Sequence, residues 1–450
     1  MGVSEKLARF VVDTSYNDIP QKSVSYTKQL TLSTLGSMLW GSTLPAGKIV
    51  TKLIKEWGGV PEAGVIGGGF KTSAPNAALA GGNFAHASEW EGDSRPESVG
   101  LLTIIPVVFS LVEKLGLSGK DVLEATIIAH EVQARIGLAC LPATERGFFS
   151  VPVFGNFGAA IATTKLLKLN VEQIPVAISI AASQAAGTIR QSTTMTHFVE
   201  TGFPCRNGMI AAMLAKEGFT ADVDILEDTS RGVGFGSAVA GKEGYHIEKV
   251  TEDLGKPFRV ELIDTKHYPC HSQQQRALDG ILQLVSEHNI AYEDVESAEI
   301  EVKPVVAHEL DSLDPPDGES SRFSIQHGVA GALLKGKVER ETFTDENAVN
   351  PKFKEARRKV KLIVHPEWAG EQPDIVTIKL KDGKEYSTSV KSWKGHYTSP
   401  LTHEELVAKF KDATSSTLSP SQADRSIELV LNLETLKDVS ELMKILTFPG

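Results

Sequence analysis

The chain has 450 residues, enough at roughly 150 residues per domain for two or three units with a large core. Hydrophobic residues make up 41% and charged residues 23%, the balance of a folded globular protein and not of a disordered one. Its 46 Lys and Arg against 57 Asp and Glu give a formal net charge of −11, which argues against a sequence-independent grip on nucleic acid or on an anionic membrane and leaves any anionic ligand to a local basic pocket. Apolar residues recurring at three and four predict helices over Tyr26–Leu39, Ala74–Glu89, Lys120–Ala139, Phe157–Leu169, Glu172–Ala186 and Asn207–Lys216. Many of these are rich in Ala and Gly, which lets helices approach closely. Period-2 alternation first appears at Phe258–Asp264 and predicts further strands over Ala298–Val306, Val360–His365 and Ile375–Leu380, the last paired through Asp382-Gly383 with Glu385–Val390. Helical patterns at His271–His288 and Ser320–Leu334 lie between them, with a polar loop at Asp311–Ser321. Thr402 and Glu405 have capping-box spacing for a helix, and Ser421–Leu446 reads as helix again.

The order helical, α+β, helical predicts a mainly α protein: a discontinuous all-helical domain, 1–262 plus 398–450, with an α+β domain inserted at 263–397. An inserted domain docked on a helical one creates a cleft, a preferred ligand site. Three widely spaced cysteines, Cys140, Cys205 and Cys270, provide neither a disulfide framework nor a metal knuckle, so a reducing, cytoplasmic compartment is expected. The longest uncharged stretches, Ser98–Val112 and Gln173–Ile189, fall short of the roughly 20 apolar residues of a membrane span, and proline interrupts both. The opening MGVSEKLARFVVDTSYNDIP resembles neither a secretory nor a transit leader.

Three polar clusters can carry chemistry. HASEWEGDSRPES, from His86 to Ser98, is either a solvated loop or the mouth of a cleft where Glu89, Glu91 or Asp93 binds a polar substrate or moves a proton, with Arg95 beside them. In Lys266-His267-Tyr268-Pro269-Cys270-His271 the histidines are spaced as zinc ligands on a helix would be, but Pro269 opposes a continuous helix and no HExxH carboxylate follows. Lys266 and His271 fit better as cationic donors to carboxylates or as acid and base groups, and no metal or other cofactor is expected. The third cluster is Thr193–His197, followed by Arg206-Asn207-Gly208 at an expected helix start. GGGFK at Gly67–Lys71 lacks phosphate-loop spacing, and there is no GxSxG elbow.

AALAGGNFAHASEWEGD (Ala77–Asp93), GNFGAAIATTKLLKL (Gly155–Leu169), SIAASQAAG (Ser179–Gly187), RNGMIAAMLAKEGF (Arg206–Phe219), KHYPCH (Lys266–His271), FSIQHGVAGALL (Phe323–Leu334) and GHYTSPLTHEELVAKF (Gly395–Phe410) together resemble the MmgE/PrpD, or 2-methylcitrate dehydratase-like, family over essentially the whole chain. The resemblance implies a helical domain with an inserted lid domain, a homodimer, and dehydration, decarboxylation or epimerisation of a carboxylic acid. Carried over position by position, the resemblance puts the first and second acids of the family's DFDDT motif on Glu89 and Glu91 and its threonine on Asp93. One family histidine falls near Val99 and another on Phe149. The lysine and histidine of TKPLH fall on His197 and Glu200. Lys266 and His271 are retained.

Losing two imidazoles to Val99 and Phe149 makes the pocket more apolar and suits a smaller or less charged acid. The expected function is a cofactor-independent lyase acting by proton abstraction next to a carboxylate. Lys266 and His197 hold and polarise the carboxylate, His271 exchanges the proton, and Asp93 with Glu89 and Glu91 faces the polar group. Arg95, Phe149 and Arg206 complete the substrate contacts. Epimerisation by the same abstraction, a non-catalytic acid-binding protein on the same fold, and a metal-dependent hydrolase using His267 and His271 are the alternatives.

Overall fold

A computed structural model describes residues 2–368, 370 and 372–448. The protein is mainly α and forms two units, one from the segments up to Gln191, Met195–Thr265 and Thr402 onward, the other from Lys266–Leu401 with Ser192–Thr194. Among the described residues no helix is long and apolar enough to cross a membrane.

In the first unit, Ser118 and Asp121 form a capping box that starts the helix Gly119–Ala139, whose apolar stripe Leu123, Ile127, Ile128, Val132 and Ile136 is buried. The helices Gln21–Thr43 and Ser150–Leu166 pack on it, and Ala74–Ala87 and Met195–Lys216 pack in turn on those two. Two glycines decide how close two of these come. A Cβ on Gly82 would lie 2.6 Å from Cys205 Sγ and 2.7 Å from the Thr201 carbonyl, and one on Gly202 would strike the Leu79 carbonyl. The helices Ala74–Ala87 and Met195–Lys216 therefore meet backbone to backbone.

Several elements differ from the sequence expectation, each for a local reason. Met195–Lys216 begins well before Asn207 and runs through Pro204, because packing on two neighbouring helices outweighs the roughly 3 kcal/mol cost of an interior proline. Arg206 consequently sits in mid-helix, not at a helix start. Ser150–Leu166 begins ahead of Phe157 because Pro152 falls in its first turn, where the missing N–H costs nothing. Phe258–Asp264 is a 3-10 turn, Arg259–Leu262, leading into the strand Ile263–Thr265, since the Arg259 backbone N–H donates to Glu131 Oε2 at 2.6 Å and not to a sheet. That strand pairs antiparallel with Gly92–Ser94. The last helical stretch divides into Pro420–Leu431 and Ser440–Thr447, because the turn between them bonds to the loop before Gly119, with the Gly119 N–H donating to the Leu436 carbonyl.

The second unit holds a four-stranded sheet in the order Val360–Val364, Val295–Val302, Asp374–Leu380, Glu385–Val390. The first pair is parallel and the others antiparallel, and Gly383, with φ 85°, supplies the left-handed turn residue between the last two strands. Val295–Val302 stops short of Val306 because Pro304 opens the helix Pro304–Leu310. The helix Gln275–His288 packs on the sheet, with Gly280 against Val376 and Val390. Beneath it His327 is buried in the helix Ile325–Lys335, donating from Nε2 to the Thr342 carbonyl at 2.8 Å and accepting at Nδ1 from Arg357 Nη1 at 2.9 Å. Burial, with the Arg357 charge beside it and against the Thr342 carbonyl, brings its pKa down to about 4.

Replacing Gly82 with Ala is expected to cost about 1–3 kcal/mol, since the added methyl meets backbone and a buried sulfur that cannot swing away. An unchanged urea midpoint would contradict this packing. The buried neutral histidines predict a pH dependence. Unfolded histidine takes a proton near 6.5, whereas folded His327 and His130 hold off until about 4 and about 3, so stability falls as pH drops through that window. Buried Asp374, raised to about 6, acts oppositely between about 4 and 6. His327→Ala should flatten the acid decline in urea midpoints and, by stripping Arg357 of an acceptor, lower stability by about 2–4 kcal/mol at neutral pH.

Candidate active site

The Ala74–Ala87 helix ends with its last-turn histidine, His86, facing the other helix it touches. His86 Nδ1 lies 2.7 Å from Thr201 Oγ1, a contact that the Gly82 and Gly202 approach makes possible. After Ser88 the chain turns through Glu89 at φ 52°, a left-handed conformation that usually falls to Gly or Asn. Its cost of roughly 1 kcal/mol is tolerated because the turn folds the Glu89 carboxylate back beside its own helix. There Oε1 stands 3.4 Å from His86 Nε2 and 3.6 Å from His197 Nε2. All three residues are buried, Glu89 with only 1% of its surface exposed.

Aromatic rings wall this cluster. Phe149 stacks on His197 at 4.7 Å between centroids and 22° between planes, and Phe198 sets its edge against both His86 and His197. Phe149 thus places an apolar ring directly on the cluster. Glu200 sits one turn further on, its Oε1 accepting the Thr188 backbone N–H at 3.1 Å. Burial raises its pKa, opposed by that hydrogen bond and by His197.

Next to the cluster the chain is clamped. Lys409 Nζ donates to the Trp90 carbonyl at 2.7 Å and to Ser33 Oγ at 2.9 Å, and Trp90 packs edge-on against Trp40. Glu91 is buried. Asp93 lies opposite Asp264 in the short ladder, and Arg95 serves both carboxylates, at 3.7 Å and 3.8 Å. Glu97 takes the Arg259 guanidinium at 2.6 Å and anchors the following turn. Val99 is buried in the main apolar core, with its carbonyl accepting from Ser94. Arg206 lies apart from these groups, over the ring of exposed Phe203 and bonded to Asn207.

The second unit organises Lys266–His271 through one buried glutamine. Gln275 Oε1 accepts the backbone N–H groups of His267 and Tyr268, and its Nε2 donates to the carbonyls of Tyr268 and Cys270. Tyr268 is further pinned by its hydroxyl to Asp279 Oδ1 at 2.7 Å. Lys266, buried, directly follows the strand Ile263–Thr265 in the chain. The His271 N–H donates to the Arg322 carbonyl, its Nδ1 accepts from the Gln273 N–H, and its Nε2 stands 3.9 Å from Glu309 Oε2. His267 lies against Tyr268 with the two rings tilted by 37°, and does not share a ligand set with His271 among the described residues.

Among the sequence-nominated residues, the first unit brings Glu89, His197 and Phe149 into one cluster and Asp93 and Arg95 into a second. Lys266 and His271 share the loop that Gln275 builds. Sequence reasoning passed over His86, Thr201 and Phe198. The available signal was the small-residue pairing of Gly81-Gly82 with Gly202, which brings the ends of two helices together.

The chain matches the MmgE/PrpD N-terminal domain over residues 5–248 and the MmgE/PrpD C-terminal domain over residues 268–435. It is 27% identical to the cis-aconitate decarboxylase-like protein oryM of Aspergillus oryzae, over 99% of this chain and 97% of that protein. It is 26% identical to the cis-aconitate decarboxylase of Mus musculus, over 100% of this chain and 94% of the relative. With the mitochondrial 2-methylcitrate dehydratase of Yarrowia lipolytica it shares 25% identity over 66% of this chain and 59% of that enzyme. Both of the family's domains are thus present in order along nearly the whole sequence, and the chain belongs to the MmgE/PrpD family.

Proposed function

We propose that the protein is a lyase that removes CO2 or water from a small di- or tricarboxylic acid, with decarboxylation the leading reaction. The observation that carries this is the buried His86, Glu89 and His197 cluster under the Phe149 ring, an ionisable set kept in apolar surroundings within a chain whose full-length relatives include cis-aconitate decarboxylases. Apolar walls favour loss of CO2, because the charge localised on a carboxylate becomes more dispersed as the carbon–carbon bond breaks.

In this scheme the bond to the departing carboxylate breaks and its electron pair stays on the carbon that is left. Lys266 pairs with a remaining carboxylate and stabilises the charge that develops beside it. His271, held by Arg322 and Gln273, supplies the proton that quenches that carbon. His197 and Glu89 orient the polar end of the substrate, with Asp93 and Arg95 next in the chain. In the dehydration variant His271 acts as the base instead: it takes the proton next to a carboxylate, a carbon–carbon double bond forms, and the hydroxyl leaves as water once protonated.

Assays of CO2 release from cis-aconitate and of alkene formation from 2-methylcitrate and citrate test this reading. Turnover of at least one acid is expected, and Lys266→Ala should lower kcat/KM on it by about 10²–10³-fold, the loss typical of removing one charge-stabilising group. Unchanged kcat/KM in that variant would remove Lys266 from the scheme. Tight binding of these acids without turnover would favour the acid-binding alternative.

A further inference from the structure

We propose that a hollow beside the helix Pro45–Trp57 binds a small polyanion with two or more linked phosphate groups. The hollow, about 420 Å³ in volume, is bounded by Lys48, Thr51, Lys52 and Lys55 of that helix, by Ser42 just ahead of it and by Gly67 of the GGGFK turn. It shares no residue with the candidate active site, and the inference holds whichever reaction the protein performs.

Residues three and four apart on a helix are neighbours, with about 5–6 Å between Cβ atoms, and like charges placed there destabilise the helix. Lys48, Lys52 and Lys55 are spaced by four and by three and form one exposed stripe, opposite the buried Val50 and Ile54. Little nearby offsets their repulsion. Among the described residues Lys52 alone of the three has a carboxylate partner, Glu56 at 3.8 Å with both side chains largely in solvent, and Lys55 lies 4.9 Å from the centre of the Phe70 ring. Elsewhere in the helical unit Lys28, Lys71, Lys114 and Lys165 each take a carboxylate at 2.6–3.0 Å. Three ammonium groups gathered around one hollow, in a chain of net charge −11, make the local basic pocket that an anionic ligand requires.

The GGGFK turn supplies a wall and not a phosphate cradle. Its Gly67 and Gly69 N–H groups donate to the Leu446 and Thr447 carbonyls, and the Gly68 N–H donates to Val65, so none of the three is offered to a ligand. Gly67, at φ 70°, brings the turn so close to Ser42 that a Cβ would lie 2.3 Å from the serine Oγ. Recognition therefore falls to the lysines, which hold phosphate as point charges, with Thr51 beside them. A ligand with linked phosphates meets several ammonium groups at once, and each contact after the first is made at high effective concentration. A single phosphate lacks that advantage.

The test is calorimetric titration of the full-length protein with inorganic pyrophosphate at low ionic strength. One equivalent is expected to bind, with a ligand-dependent rise in Tm, with affinity that falls as salt is added, and about tenfold or more tightly than orthophosphate. The double variant Lys48→Gln/Lys55→Gln changes two exposed side chains and should fold as the parent does, yet weaken binding about tenfold or more. Lys249→Gln, which removes an exposed lysine paired with Glu252 elsewhere in the helical unit, should leave binding unchanged. No binding at low ionic strength, equal affinity for orthophosphate, or unchanged binding by the double variant would overturn the site. Attachment to vesicles carrying a bisphosphorylated lipid, without binding of free pyrophosphate, would overturn the small-molecule ligand.

Discussion

The helical unit depends on one close contact, the backbone approach of Ala74–Ala87 to Met195–Lys216 that Gly82 and Gly202 permit. Helices separated by ordinary side chains pack with axes about 8–10 Å apart. Here the Leu79 and Thr201 carbonyls come so near the opposite helix that no Cβ fits. The consequence appears at one end of the pair. His86 reaches Thr201 and His197 directly, and the left-handed turn at Glu89 delivers a carboxylate to both imidazoles. A packing decision made by glycine thus creates a buried polar cluster from residues more than a hundred positions apart.

Burying such groups is costly unless each is held, and much of the nearby polar structure serves that end. Lys409 fixes the Trp90 carbonyl, Arg95 shares Asp93 and Asp264, and Glu97 is saturated by Arg259. The second unit uses the same strategy with neutral groups. Gln275 satisfies four backbone groups of the Lys266–His271 loop, so Lys266 and His271 are presented on a backbone with little freedom.

Much of this was legible in the sequence. The period of 3.6 located the helices, Asp382-Gly383 marked the hairpin, and Thr402 with Glu405 marked the last domain's helix start, because each is a local signal with a local cause. What was missed depends on contacts distant in sequence. Pro204 reads as a breaker, and only packing on two neighbours carries the helix through it. Phe258–Asp264 alternates like a strand, but Glu131 claims the Arg259 N–H and turns most of it into a 3-10 segment. His86 reads as an ordinary last-turn residue until a second helix is laid against it. The polar run from His86 to Ser98 was recognisable as a candidate site, whereas its pairing with His197 was not, since no spacing along the chain encodes it.

In the proposed reaction these side chains exchange or replace a substituent at a carbon beside a carboxylate. Proton NMR of cis-aconitate, citrate, 2-methylcitrate, iminodisuccinate and simpler hydroxy acids, each incubated with the protein in D2O, tests it most directly. Deuterium is expected at the carbon next to a carboxylate in at least one acid or its product, incorporated faster than in buffer. Acids that all remain unlabelled and intact while the protein binds them would contradict it.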